Sequence, residues 1–347
     1  VNLAFVESPV QLLNVLEWTH TRGGPDTTVV VLPPVDPMSR GQLRRMAELA
    51  RDEGITVRWQ EARGEKGAPL KALRSLTGLI RRADRIVIGD PFSRYVQLLL
   101  SLVRTRRITV VDDGTATMEF VAQLARGERL VRWHRRGSGG PREMLLAPVT
   151  SAARRSFTPS ASRTVEVFTA MPVEAPAGIE VTENTFAWTR GRFGPPLITK
   201  GADLVGTSLV ETGVIDPAPY AEAVRSLART HGATRYFAHR RESAEKLHAL
   251  ESATGLEIVR PDLPLELIAR RGPIGHTVLS FPSTVVHTLP LALAGTGVKV
   301  AVCDIAPEWL RDTASPRAQG FLSGVTETAK DVHRLASWGS TAVVGEG

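Results

Sequence analysis

The stretch RIVIGDPFSRYVQLLLSLVRTRRITVVDDG, residues 85–114, decides the fold. It opens on a short β-branched run at 85–89, continues through a stretch at 93–104 long enough for a helix, and closes on a second β-branched run at 108–111. Strand, helix and strand at this spacing make a parallel pair with a crossover helix between them. The same rhythm extends upstream, with strand-like runs at 3–6, 28–32 and 55–59 and helical stretches at 11–19, 39–53 and 70–82. Several of these carry apolar residues three and four apart, as a helix packed on a sheet requires. A doubly wound, Rossmann-like domain is the consequence.

Residues 173–196, VEAPAGIEVTENTFAWTRGRFGPP, break the rhythm with Pro and Gly and read as the connection to a second domain. Strands are then expected at 202–205, 234–237, 257–259, 277–281 and 298–302, with helices at 219–231, 243–254, 264–270, 284–294 and 329–337. The reading is an α/β chain of two Rossmann-like domains, residues 1–190 and 191–347, facing a central cleft. Ligands of such sheets sit at the carboxyl ends of the strands, so the residues just after each strand matter most.

Composition supports two ordinary cores: 347 residues, 42% hydrophobic and 23% charged. Cys303 is the only cysteine, which excludes an intrachain disulfide and a zinc site built on cysteine pairs. Net charge is +7, and of 43 basic residues only six are Lys. That excess of Arg suits anionic partners, although a GC-rich genome produces the same bias; nucleic acid is not expected. No basic segment precedes the apolar opening VNLAFVES, so a cytoplasmic location is expected. Residues 276–303, the most apolar stretch, contain His276, His287 and Lys299 and are punctuated by Pro282, Pro290, Gly295 and Gly297. They read as strand, turn, helix and strand rather than a membrane span.

Several chemistries are excluded by absence. The first strand is followed by ESPVQ, not a Gly-x-Gly-x-x-Gly loop, and there is no P-loop, Gly-x-Ser-x-Gly elbow or His-Glu-x-x-His. Three strand ends remain chemically dense. VVDDGTAT delivers Asp112 and Asp113 into a turn at Gly114, either as cleft carboxylates or as a solvated Asp-Gly turn. YFAHRRES presents His239 with Arg240, Arg241 and Glu242, either as a proton donor poised near neutrality beside a bound phosphate or as a loop histidine capping backbone. SFPST places Ser283 and Thr284 at a helix start, either as a phosphate cradle or as ordinary N-caps. Between the last two, Glu266 in RPDLPLELI stands in a first helical turn, where it either grips a ribose diol or is solvated.

In order and spacing these segments resemble the bacterial sialyltransferases, and most closely the alpha-2,8-polysialyltransferase-like family. VESPVQLLNVLEW is similar to the family's N-terminal signature at Ser8, Pro9, Gln11, Leu12, Leu13, Asn14 and Glu17, continued by IGDPFSRY at 88–95; GTSLVETGVIDPAPY at 206–220 is similar to the opening of its second domain. The resemblance implies a GT-B glycosyltransferase that moves sialic acid or a related nonulosonic acid from its CMP-activated form to a sugar hydroxyl with inversion. It implies Asp112 or Asp113 as general base, with Asp112 preferred, and His239 as general acid. Arg240, Glu266, Ser283 and Thr284 would hold the nucleotide and its phosphate, and Ser8, Gln11, Asn14 and Gly114 would line the acceptor side. Arg240 stands where many relatives have Pro. No cofactor beyond the CMP-sugar and no metal is implied, since CMP leaves as a monophosphate that His, hydroxyl, amide and Arg contacts can stabilise. Six Arg between 126 and 142, with Trp133 and His134, offer a place for an anionic acceptor glycan or for peripheral contact with the inner face of a membrane; a solvated basic loop is the alternative. A GT-B enzyme using a UDP-sugar and a non-catalytic glycan- or nucleotide-binding relative are the competing readings.

Overall fold

A computed structural model describes residues 1–22, 26–61, 68–132, 141–314 and 316–335. Its contacts divide the chain into two compact units, Val1–Trp188 and Thr189–Gly347. The first unit runs β1 (Asn2–Val6), α1 (Pro9–Arg22), β2 (Thr27–Val31), α2 (Pro37–Asp52), β3 (Thr56–Trp59), α3 (Ala68–Arg82), β4 (Arg85–Ile88), α4 (Arg94–Leu102), β5 (Arg107–Val111), α5 (Thr115–Ala125), α6 (Pro141–Ser156), β6 (Thr164–Thr169) and β7 (Ile179–Glu183). Its sheet has the order β3-β2-β1-β4-β5-β6-β7, parallel throughout. Leu3, Ala4, Phe5 and Val6 are at most 1% exposed, because helices cover both faces of a parallel sheet and leave its inner strands no solvent side. Asp36 accepts the Ser39 N–H at 2.7 Å to start α2, and Ser93 accepts the Val96 N–H to start α4.

The helix α7 (Ala187–Arg192) spans the division. The second unit continues with β8 (Ile198–Val205), α8 (Pro217–His231), β9 (Ala233–Phe237), α9 (Ala244–Thr254), β10 (Glu257–Val259), α10 (Leu265–Arg271), β11 (Ile274–Ser280), α11 (Val285–Ala292), β12 (Lys299–Cys303), α12 (Pro316–Glu327) and β13 (Val332–Leu335). Its order, β10-β9-β8-β11-β12-β13, is again parallel throughout. Leu204, Tyr236, Leu279 and Phe281 anchor its core, with the Tyr220 and Phe281 rings 5.0 Å apart. In both sheets the strand order reverses around the first strand of the unit, so the switch points lie between β1 and β4 and between β8 and β11.

Two expectations are corrected. Residues 173–196 are not only a connection: β7 and α7 form within them. β7 is an edge strand with no buried residue, so it lacks the apolar run that marks an inner strand. The helix expected at 329–337 is absent among the described residues, where β13 pairs with β12 from Val332 to Leu335 and α12 precedes it.

Candidate active site

In the first unit, Asp112 follows β5 directly. Gly114 adopts φ 67° and ψ −135°, a region essentially closed to other residues, and so turns the chain into α5. That turn folds the Asp112 carboxylate back: Oδ1 accepts the Gly114 N–H at 3.0 Å and the Thr117 hydroxyl at 2.8 Å, and Oδ2 accepts the Ala170 N–H at 3.0 Å. Asp112 is 1% exposed. Burial raises its pKa to about 6 against the opposing hydrogen bonds from Thr117, Ala170, Thr169 and Gly114. A carboxyl in this state is ionised at neutral pH yet basic enough to take a proton.

Asp113 differs. Its Oδ2 receives Arg132 Nη2 at 3.1 Å, and the same nitrogen reaches Asp90 Oδ2 at 2.9 Å. Asp90, just beyond β4, also accepts the Phe92 N–H at 2.8 Å, and the Arg132 guanidinium lies 5.6 Å from the Phe92 ring centre. Arg132 thus ties the end of β4 to the end of β5. The basic stretch that suggested an anionic acceptor is partly neutralised, since Arg126 pairs with Glu128 at 2.7 Å; Trp133, His134, Arg135 and Arg136 lie outside the described residues.

The residues expected on the acceptor side hold backbone. Ser8 Oγ accepts the Gln11 N–H at 3.2 Å, and Gln11 Oε1 accepts the Glu7 N–H at 2.7 Å. A Cβ at Gly89 would overlap the Gln11 side chain, so glycine is what lets Gln11 lie across the end of β4. Asn14 donates to the Asp112 carbonyl at 3.1 Å and accepts from Asn184 at 2.7 Å. Glu17, fully buried, accepts the Trp188 N–H at 2.9 Å. Gln11 and Asn14 are buried, and Asn14 braces the turn that carries Asp112.

In the second unit, β9 and β11 flank β8 and deliver the two other motifs. His239 follows β9 in a turn closed by Glu242, whose Oε2 accepts the His239 N–H at 2.7 Å. Glu242 Oε1 takes the Tyr236 hydroxyl at 2.6 Å and Lys246 Nζ at 2.8 Å. Lys246 extends the network to the Thr207 carbonyl at 3.1 Å and to Glu211 at 3.3 Å, while Tyr220 and Tyr236 hydroxyls meet at 2.6 Å. A Cβ at Gly206 would strike Glu242 and come within 2.6 Å of the Tyr236 hydroxyl, so only glycine leaves room for this cluster at the end of β8. His239 Nδ1 accepts the Arg241 N–H at 3.2 Å. Burial first, then Arg240, Arg241 and Lys246, lower its pKa to about 4, the direction expected of the flanking arginines.

Beyond β11, Ser283 and Thr284 are half-buried, and Thr284 at the start of α11 makes no side-chain capping bond to the helix. Glu266, expected to grip a ribose diol, is 4% exposed and accepts the Thr288 hydroxyl at 2.5 Å; burial raises its pKa. Its present work is to join α10 to α11. His287 on α11 is buried with no partner for Nε2, and burial lowers its pKa against a hydrogen bond to the Val325 backbone.

Sequence spacing brings Glu242 close to His239 along the chain but gives no sign that its carboxylate turns back onto the His239 amide. Lys246 is missed although it stands four residues after Glu242; Arg132 belongs to the basic stretch singled out above, but its pairing with Asp90 and Asp113 is set by tertiary packing. Among the described residues, no group of three His, Cys, Asp or Glu side chains is placed to hold a metal ion, and no helix is long and apolar enough to cross a membrane.

No family model matches the chain, and no curated protein matches it in sequence. Its fold is similar to that of an alpha/beta-galactoside alpha-2,3-sialyltransferase from Photobacterium phosphoreum, with TM-score 0.53 and 10% identity over 96% of this chain and 98% of that one. It is also similar to a protein described as a UDP-N-acetylglucosamine 2-epimerase from Listeria monocytogenes, with TM-score 0.51 and 13% identity over 87% of this chain and 78% of that one. Two parallel-sheet units in this chain order constitute the GT-B glycosyltransferase fold.

Proposed function

We propose that the protein is an inverting, metal-independent glycosyltransferase that moves sialic acid or a related nonulosonic acid from its CMP-activated donor to a sugar hydroxyl. The observation that carries the reading is the pair of strand ends flanking β8, where His239 with Arg240 and the Ser283–Thr284 pair stand beside the switch point of the second sheet. That is where an open α/β sheet takes a nucleotide, and one imidazole, one guanidinium and two hydroxyls suit a single phosphate. The fold shared with a sialyltransferase adds support.

Asp112 takes the proton of the attacking acceptor hydroxyl, a role that its pKa of about 6 suits. Asp113 serves by holding Arg132 between the ends of β4 and β5. His239 and Arg240 meet the phosphate of departing CMP, and the hydroxyls and N–H groups at the start of α11 complete its cradle. Glu266 acts on the nucleotide through the placement of α11. The acceptor is a glycan or glycoconjugate, and work at the inner face of a membrane would suit it.

The test is calorimetric titration of the purified protein with CMP, UDP and ADP without metal. Selective CMP binding that Ser283→Ala weakens is the expected result. Equal or absent binding of the three overturns the donor assignment. Preference for UDP favours the second reading, a UDP-sugar enzyme, to which the epimerase-like fold also points.

A further inference from the structure

His239 is held from two directions by bonds to its own turn. Glu242 Oε2 grips its backbone N–H at 2.7 Å, and the Arg241 N–H points at its Nδ1 at 3.2 Å. A nitrogen that accepts from an amide carries no proton, so the ring proton resides on Nε2. An imidazolium would bring Nδ1–H against the Arg241 N–H, and its charge would face Arg240 and Arg241 in the turn and Lys246 from α9. The nearby carboxylates Glu242 and Glu211 are already engaged by Lys246; α9 also carries Glu245 and Glu251, the latter beside His248. Tyr236 from β9 and Tyr220 from α8 add no negative charge, since burial pushes both phenols well above their ordinary range.

We infer that His239 works as a fixed, neutral Nε2–H hydrogen-bond donor to the leaving phosphate and does not give up a proton in the reaction. This rests on the reading that the protein is a CMP-sugar transferase. The step balances without an acid. The bond from the anomeric carbon to the phosphate oxygen breaks and its electron pair stays on CMP; the acceptor oxygen bonds that carbon; the acceptor proton goes to Asp112. A phosphate monoester has its second pKa near ~6, so CMP departs as a stable dianion at neutral pH and needs a donor, not a proton. Glu242, Tyr236 and Lys246 are positioning residues that hold the turn in which Arg241 fixes the tautomer.

Nitrogen-15 NMR of the full chain labelled at histidine reads this directly, with His239→Gln identifying the resonance. From pH 5.5 to 8, His239 should show an unprotonated Nδ1 and a protonated Nε2, with and without CMP; an imidazolium at pH 7 in the CMP complex overturns the inference. Arg241→Pro deletes the N–H that fixes Nδ1 and should give mixed tautomers, whereas an unchanged pattern would count against the role assigned to that amide. In transfer assays His239→Ala should lose about 10²–10³-fold in kcat, the cost of one preorganised donor. His239→Gln, which restores an N–H but no acid, should recover at least about tenfold of that loss; two equally inactive variants overturn the inference. The tautomer is read in the free protein, so it stands apart from the donor assignment. Resonances that CMP fails to move break the CMP-sugar reading instead.

Discussion

Asp112 and His239 each stand just past a parallel strand and are each largely buried, yet their surroundings treat burial in opposite ways. Burial disfavours the charged form of both, raising the acid and lowering the base. Around Asp112 four hydrogen-bond donors oppose it and bring the carboxyl to rest near 6. Around His239 three cations add to it and carry the imidazole to about 4. The first group can exchange a proton at working pH; the second is locked in one state. The difference lies in what each turn recruits: neutral N–H and O–H groups beside the acid, Arg and Lys beside the imidazole.

The largest effect that tests this contrast is on turnover. Asp112→Asn should lower kcat by ~10²–10⁴-fold, the range for a positioned base, while Asp113→Asn should cost less than about tenfold. In the wild type, kcat should fall with acid through a single ionisation near pH 6. A reversed order of the two variants would transfer the base to Asp113.

The second effect is on stability. His239 has a folded pKa of about 4 against 6.5 unfolded, so between these values the unfolded chain binds the extra proton. Its contribution is complete above pH 6.5 and is lost as pH falls toward 4, with a size on the order of 3 kcal/mol. Urea unfolding of the wild type and of His239→Gln across pH 4.5–7 should show the variant with the flatter acid limb. Identical limbs would mean that the imidazole titrates normally.

The third compares buried carboxylates in the two sheets. Glu166 on β6 accepts from Arg85 and Thr109 at 2.8 Å, from Thr182 at 2.9 Å and also from Arg22. Those bonds outweigh burial and hold its pKa below the ordinary range. Asp203 on β8 is gripped by Arg235 at 2.9 and 2.6 Å and takes the Gly275 N–H at 2.6 Å. Removing one partner strands the others, so Glu166→Ala should cost about 3 kcal/mol and Asp203→Ala about 2, each read by denaturant unfolding. Equal, negligible costs would show that solvent screens both. The smallest effect belongs to Thr288→Val, which leaves the Glu266 carboxyl without its hydroxyl partner and should cost about 1 kcal/mol.

Inner strands were legible because both their faces are apolar: β1, β2, β4 and β5 lie where the β-branched runs stand. β6 was hidden by Glu166, a buried acid that reads as a surface residue until Arg22, Arg85, Thr109 and Thr182 are seen around it. β7 and β13 are edge strands without an apolar run. Among the candidate residues, Asp112 and His239 stand out because each follows a strand and enters a tight turn. Arg132 does not, since its partners Asp90 and Asp113 come beside it only when the ends of β4 and β5 are laid side by side; Glu242 and Lys246 are close in the chain, but nothing in the sequence says that the Glu242 carboxylate turns back onto the His239 amide. The polar signature Ser8, Gln11 and Asn14 was visible, but its inward direction was not: buried amides and exposed ones look alike along a helix.

Asn14 has one further consequence. Its amide donates to the Asp112 carbonyl while its own carbonyl receives Asn184, whose Oδ1 in turn accepts the Phe186 N–H at 2.9 Å. Residues 184–186 follow the last strand of the first sheet, yet they complete the support of the turn after β5. Anyone recombining this chain with a distant homologue should therefore keep residues up to Trp188 with the first unit. A crossover placed at the end of β7 would preserve every strand of the sheet and still deprive Asn14 of its counterpart.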